Sequence, residues 1–388
     1  MYYNLQKLST IQKLPNIIST FFKYCDKNEY GDTRLVLYNN RDLNNDILGK
    51  IDKLIVNAEN FVFNDIQKNK KINNVINYND LKTFFGFSNR LNMHNNTFYC
   101  IIEIMNKFFR DCTINEVLEL DYQENSSMFK DSLNYFYENS EEQINIHNIG
   151  DIFNNNDDIF NLSHFIKISR CRHNFYNIVL INAEPIVFSN NDYDITEVLL
   201  IYIILSLNVI KEDGNCIVKL DLKYISTTIY LEIFFFLSSI FQSVVLCKPS
   251  CSILNEHTYY IICKNKNVFN KDEIIDVTIP VFQNIVEKPK HKYTYSFLKY
   301  DIPLFYKNKF VETFINFQRY DIEVFDHMCN LLLSPKQPDR ILTQVTKQTA
   351  RLQQWIDENT NHNGSNGSNG SNGSNGSNGS NSFCKSIT

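Results

Sequence analysis

Between Asn177 and Asn265 the chain alternates short β-branched runs with longer apolar stretches, and this alternation limits the fold more than any other feature. "NIVLINA", Asn177 to Ala183, reads as a strand, and the apolar segment from about Ile195 to Ile210 reads as a helix. After a turn at Asp213 and Gly214, "NCIVKLDL" reads as a second strand. A helix over "STTIYLEIFFFLSSIF" then leads into the strand-like runs "SVVLCKP" and "HTYYIICKN". Strands separated by helices build a parallel sheet with helical crossovers. The last two runs lie too close for such a crossover, so the final strand is expected to be antiparallel, at the edge of the sheet. Upstream, "NEVLELD" (Asn115 to Asp121) supplies another strand. The expected class is α/β, with a mostly parallel sheet and an antiparallel last strand.

Boundaries follow from composition. Residues 1–75 are mixed and polar, without a recognisable motif, and read as an N-terminal extension. Residues 76–275 hold the alternating domain. Residues 276–360 read as a C-terminal helical region, with helical spacing in "FVETFINFQRYDIEVFDHMCNLLL" and "RILTQVTKQTARLQQWIDEN" separated by Pro335 and Pro338. Residues 361–388 carry an Asn-Gly-Ser repeat expected to behave as a flexible tail.

The charge balance argues against a uniformly basic nucleic-acid binder. With 38 Lys and Arg against 43 Asp and Glu, the net charge is −5, so any contact with a polyanion has to be local. Local basic clusters are Lys68, Lys70 and Lys71; Lys167, Arg170 and Arg172; and Lys288, Lys290 and Lys292. In "KISRCRHNFY" the cations alternate with Phe and Tyr, a pattern suited to phosphate contact and base stacking, so Lys167, Arg170 and Arg172 are candidate RNA contacts. The bland reading of each cluster is a solvated surface.

The ten cysteines form no paired CxxC ladder, so no metal site is expected and reduced thiols fit best. No signal pattern opens the chain, and no apolar run reaches membrane-spanning length. The expectation is a soluble, cytoplasmic protein without a membrane partner.

"GNCIVKLDL", the helix after it, and "SVVLCKPSCSILNEHTYYIICKN" carry a resemblance. Together they resemble the C-terminal half of FtsJ/RrmJ-like ribose 2′-O-methyltransferases, a group that includes the cap methyltransferases of large cytoplasmic DNA viruses. The resemblance covers roughly residues 80–265 and implies a Rossmann-like methyltransferase sheet. That family uses a Lys-Asp-Lys-Glu tetrad. By order, Lys219 matches its second lysine and Glu256 its glutamate, while "KPS" places Lys248 in a partly matching turn as a further RNA contact.

The chemistry explains the residue types. A ribose 2′-hydroxyl must lose its proton as it attacks the sulfonium methyl of S-adenosylmethionine. A lysine assists only if burial and a neighbouring cation lower its pKa and carboxylates orient it. Here the pattern departs from the family. "NNTFYCIIEI" puts Cys100 at the first lysine, and "IVLINAEP" puts Asn182 at the aspartate, with Glu184 two residues on. The cofactor loop, Val117 to Phe129, has no glycine for close backbone approach; Glu119, Asp121 and Glu124 are its candidate ligands.

Three readings stay open at this point. The first is a degenerate, non-catalytic methyltransferase-like chain, similar in kind to the small subunit of poxvirus capping enzymes, that supports another capping-enzyme or methyltransferase subunit and needs no cofactor. The second is a divergent, active S-adenosylmethionine-dependent 2′-O-methyltransferase acting on capped mRNA through Lys219, Glu256 and Glu184. The third is an unrelated α/β interaction protein, in which Lys219 is simply a lysine at a strand end.

Overall fold

The computed structural model describes residues 2–5, 18–26, 96–121, 128–137, 144–152, 160–182, 195–221, 228–251, 258–288, 292–299, 301–317, 350 and 353–359. The strands are β1 Tyr2–Leu5, β2 Ile18–Asp26, β3 Glu116–Asp121, β4 Asn145–Asn148, β5 Tyr176–Asn182, β6 Ile210–Asp221, β7 Phe241–Cys247, β8 Thr258–Lys266 and β9 Lys292–Leu298. Seven of them form one open mixed sheet in the order β1-β7-β8-β6-β5-β3-β4, and β2 pairs with β9 in a separate antiparallel ribbon. The neighbours β4, β3, β5 and β6 are mutually parallel, whereas β8 runs antiparallel to both β6 and β7. The fold is α/β, as the alternation implies.

Two placements differ from the sequence-based expectation. The antiparallel strand β8 is not at the edge; it is inserted between β6 and β7. A short connection dictates that β8 runs opposite to β7, but it does not dictate which side of β7 it takes. The edge belongs instead to β1, whose Tyr2 to Leu5 pair antiparallel with Cys247 to Val244. The expected N-terminal extension therefore contributes a strand to the main sheet and, through β2, a strand to the ribbon.

Helices cover both faces. On one side lie α1 Asn96–Phe108 and α2 Met128–Tyr137, together with Trp355 and Ile356 of the helix at 353–359. The short α3 Ile149–Ile152 follows β4. On the other side lie α4 Leu162–Cys171, α5 Ile195–Val209, α6 Thr228–Ile240, α7 Lys271–Val286 and the helix at 304–317. The 275/276 division read from the sequence falls inside α7, which packs Phe282 on Phe165 of α4 at 4.5 Å between ring centroids.

Every residue of α5 is buried, which explains why its sequence is apolar all round rather than amphipathic. It ends at Val209 without a glycine cap. The Lys266 ammonium donates to the carbonyls of Leu207 (2.7 Å) and Ile210 (2.6 Å), at the negative end of the helix. Gly214 is required within β6, at the register shift between Ile210 and Asn215: a Cβ there would stand 2.6 Å from Ile210 Cγ2 and 2.8 Å from the Lys211 carbonyl oxygen. No helix among the described residues is long and apolar enough to cross a membrane.

The two apolar helices each carry one buried glutamate, and both reach β9. Glu197 on α5 accepts from the Thr294 amide at 2.9 Å and pairs with Lys288 at 2.5 Å. Glu232 on α6 accepts from the Phe297 and Leu298 amides at 2.7 and 3.1 Å and from the Ser296 hydroxyl at 2.7 Å. These acids anchor the ribbon to the core.

Candidate functional site

One row of in-register residues crosses the main sheet: Asp121, Asn182, Lys219, Tyr260, Cys247 and Tyr2, on β3, β5, β6, β8, β7 and β1. Register places their side chains on a common face, the one covered by α1 and α2. Asp121, Asn182 and Lys219 stand at the carboxyl ends of three parallel strands. The chain runs from β3 to β4 on one side, while β5 lies on the other, so β3 and β5 flank the topological switch point. In open α/β sheets that crevice is where ligands bind.

The crevice is bridged by side chains. Asn182 Nδ2 donates to Asp121 Oδ2 at 3.0 Å, with both residues buried. Two residues back on the same face, Glu119 is 2 % exposed and takes the Phe129 amide at the start of α2. Its other oxygen, Oε1, has no hydrogen-bond partner, and neither does Asn182 Oδ1. Burial, reinforced by the neighbouring Asp121, pushes the Glu119 carboxyl up to about 8, so it is largely protonated at neutral pH.

This shift has a measurable consequence. The folded chain holds the Glu119 proton more tightly than the unfolded chain, so the group's favourable contribution is full below about pH 4.5 and is lost as pH rises to about 8. Glu119→Gln is neutral throughout and keeps an acceptor for the Phe129 amide. It is expected to flatten the fall in stability across that window, with a gain of roughly 2 kcal/mol at pH 7 by urea unfolding. An unchanged pH profile contradicts the assignment.

Cys100, on α1, lies over the same face. Its Sγ is 3.7 Å from Cys251 Sγ, and the Tyr260 hydroxyl contacts both Thr97 and Cys100. Tyr260 is the register partner of Lys219. The structure thus brings Cys100, Asn182 and Lys219 to one face, and Tyr260, which sequence reasoning missed, fills the space between α1 and the lysine strand. Burial raises both the Tyr260 phenol and the Cys251 thiol above their ordinary values, so neither ionises readily. Glu184, Glu256 and Glu124 lie outside the described residues, as do Lys68, Lys70 and Lys71.

The expected RNA contacts do not join this cluster. Lys248 is 2 % exposed, its Nζ 3.5 Å from the Tyr259 hydroxyl and 4.9 Å from the Tyr259 ring centroid. Tyr259 belongs to the core on the opposite face, so Lys248 is not presented to a phosphate. Lys167 and Arg170 are exposed on α4, and Arg172 follows it, at the amino-terminal end of β5. The length of β5, about 20 Å at ~3.3 Å per residue, separates them from Asn182.

Another acid adjoins the cluster and is fully engaged. Glu103 on α1 accepts from the Ser250 amide at 2.9 Å, the Trp355 indole at 2.8 Å and the Tyr2 hydroxyl at 2.5 Å. Its signal in the sequence was a lone acid inside the apolar run "YCIIEIM".

The Asp121–Asn182 bridge spans the crevice at the switch point, and the Phe129 amide in the first turn of α2 is taken by Glu119. No protein-family model matches the chain, and no curated protein matches it.

Proposed function

We propose that this chain is a degenerate, non-catalytic relative of the S-adenosylmethionine-dependent ribose 2′-O-methyltransferases. In this reading it acts in viral mRNA capping, in the host cytoplasm or the virion, as a scaffold or stimulatory partner of another capping-enzyme or methyltransferase subunit. Parallel strands with one inserted antiparallel strand support a Rossmann-like methyltransferase ancestry. The observation that carries the non-catalytic reading is the Asn182–Asp121 hydrogen bond across the switch point. A carboxylate on β5 would orient the Lys219 ammonium, whereas the amide at Asn182 supplies no charge and turns its N–H₂ to Asp121.

A second reading, a divergent active 2′-O-methyltransferase on capped mRNA, is favoured by the partnerless Asn182 Oδ1 and Glu119 Oε1, which a ligand would satisfy. Titration calorimetry of S-adenosylmethionine into the full chain separates the two. The scaffold reading expects a Kd weaker than about 1 mM. Micromolar affinity that disappears in Asp121→Ala overturns it and favours the second.

A further inference from the structure

At the amino-terminal end of the sheet, opposite the Lys219 row, a cleft of about 520 Å³ opens beside the edge strand β4. Glu116, Asn145 and His147 line one wall, Lys130 and Asn134 of α2 another, and Phe175 a third. The acid is consumed within the cleft: Glu116 accepts from Asn145 Nδ2 at 2.9 Å and lies 3.1 Å from His147 Nε2. His147 in turn stands edge-on to Phe175, with ring centroids 6.0 Å apart. The interior is therefore aromatic and aliphatic with amide and imidazole groups, and the free positive charge is at the rim.

That rim continues as a cationic track. Arg172 lies over the Phe175 ring, its Cζ 4.9 Å from the centroid. Arg170 and Lys167 are exposed one helical turn apart on α4, and the exposed Lys271 reaches the Arg170 carbonyl at 3.5 Å. Asp272 and Glu273 follow Lys271 in the first turn of α7, where the helix end offsets their charge, and the exposed Glu212 acts on His173, next to Arg172.

We propose that this cleft and track form a binding site for single-stranded nucleic acid, with one base in the cleft and the flanking phosphates on Lys130, Arg172, Arg170 and Lys167. The cleft has ample room for a nucleobase, the ring and amides suit its faces and edges, and a duplex would hide both. The site is independent of the methyltransferase reading, since it lies at the other end of the strands.

Fluorescence polarisation with labelled RNA and DNA decamers of one sequence, on the full chain, tests it, and the tighter of the two identifies the natural class. Lys167→Gln/Arg170→Gln changes only exposed side chains. It is expected to weaken binding roughly tenfold and to lower the slope of log K against log salt by about 1.4, or about 0.7 per lost contact. Asn134→Trp, exposed on α2, fills the cleft and is expected to weaken binding about as much with the salt slope unchanged, because it removes base contact and leaves the phosphates. Lys309→Gln, on the helix at 304–317, serves as the control and is expected to have no effect. Absence of binding by the unaltered chain overturns the proposal, as does wild-type affinity in the double variant. Loss in the double variant with none in Asn134→Trp marks general polyanion attraction and overturns the assigned site.

Discussion

Glu103→Ala is expected to destabilise the chain by about 4 kcal/mol, lowering the unfolding midpoint by roughly 10 °C. Glu103 is 5 % exposed and ties together four parts of the chain that are far apart in sequence. From α1 it reaches the Tyr2 hydroxyl on β1, the Ser250 and Cys251 amides after β7, and the Trp355 indole in the helix at 353–359. Removing the carboxylate leaves these donors in a space too apolar to solvate them. An unmade buried hydrogen bond costs about 1–3 kcal/mol, and two of the donors, on Cys251 and Trp355, belong to nearly inaccessible residues. Glu103→Gln keeps one acceptor but turns an amide N–H₂ toward the donors, so an intermediate loss is expected. The chain has a single tryptophan, so the indole emission reports this seam directly. In Glu103→Ala the maximum should shift to the red before global unfolding. A midpoint within about 2 °C of the unaltered chain, with no spectral shift, contradicts the role.

Glu197→Ala is expected to cost a similar amount, about 3–5 kcal/mol, by a different route. Lys288 and Glu197 have side chains only 3 % and 1 % exposed, so removing the acid takes a buried ammonium's paired carboxylate as well as the acceptor of the Thr294 amide. Replacing both, as Glu197→Leu with Lys288→Met, removes the buried charge and should recover more than half of the loss, because well-packed apolar pairs often substitute for buried ion pairs. The Thr294 amide keeps the recovery from being complete. Urea unfolding of the two singles and the double forms the cycle that measures this coupling. Additive losses, with no recovery in the double, show that the pair does not hold α5 to β9.

Strands β3, β5, β6, β7 and β8 were legible in the sequence because each is a short β-branched run bounded by polar residues, buried on both faces. The strand β4, "NIHN", was not: it is a polar edge strand with no apolar pattern to read. The helix expected from Phe310 begins at 304, after Pro303, with Leu304 and Phe305 exposed at its start, so its first turn carries no inward apolar signal. In the candidate site, Asn182 and Lys219 share a face because strand period and sheet register carry a sequence order into a spatial row, and Cys100 meets that face from α1. Lys248 went the other way. It lies just past the end of β7, where strand alternation no longer sets a side-chain direction, and its ammonium lies over the Tyr259 ring.

The sequence alone determined the class of fold, the helices that had to be buried on all sides, and the order in which chemistry-bearing residues meet the ends of the strands. These depend on local periodicity and on the length of connections, which neighbouring residues specify. Only the tertiary structure decided which slot β8 fills, that Tyr2 to Leu5 close the sheet, and that Asp121 and Asn182 bond to each other. It also decided that Glu103, Glu197 and Glu232 serve as anchors. A lone acid in an apolar run has the same local signature whether it binds a ligand or satisfies a distant amide. Its partners stand up to 252 residues away along the chain, and folding alone brings them together.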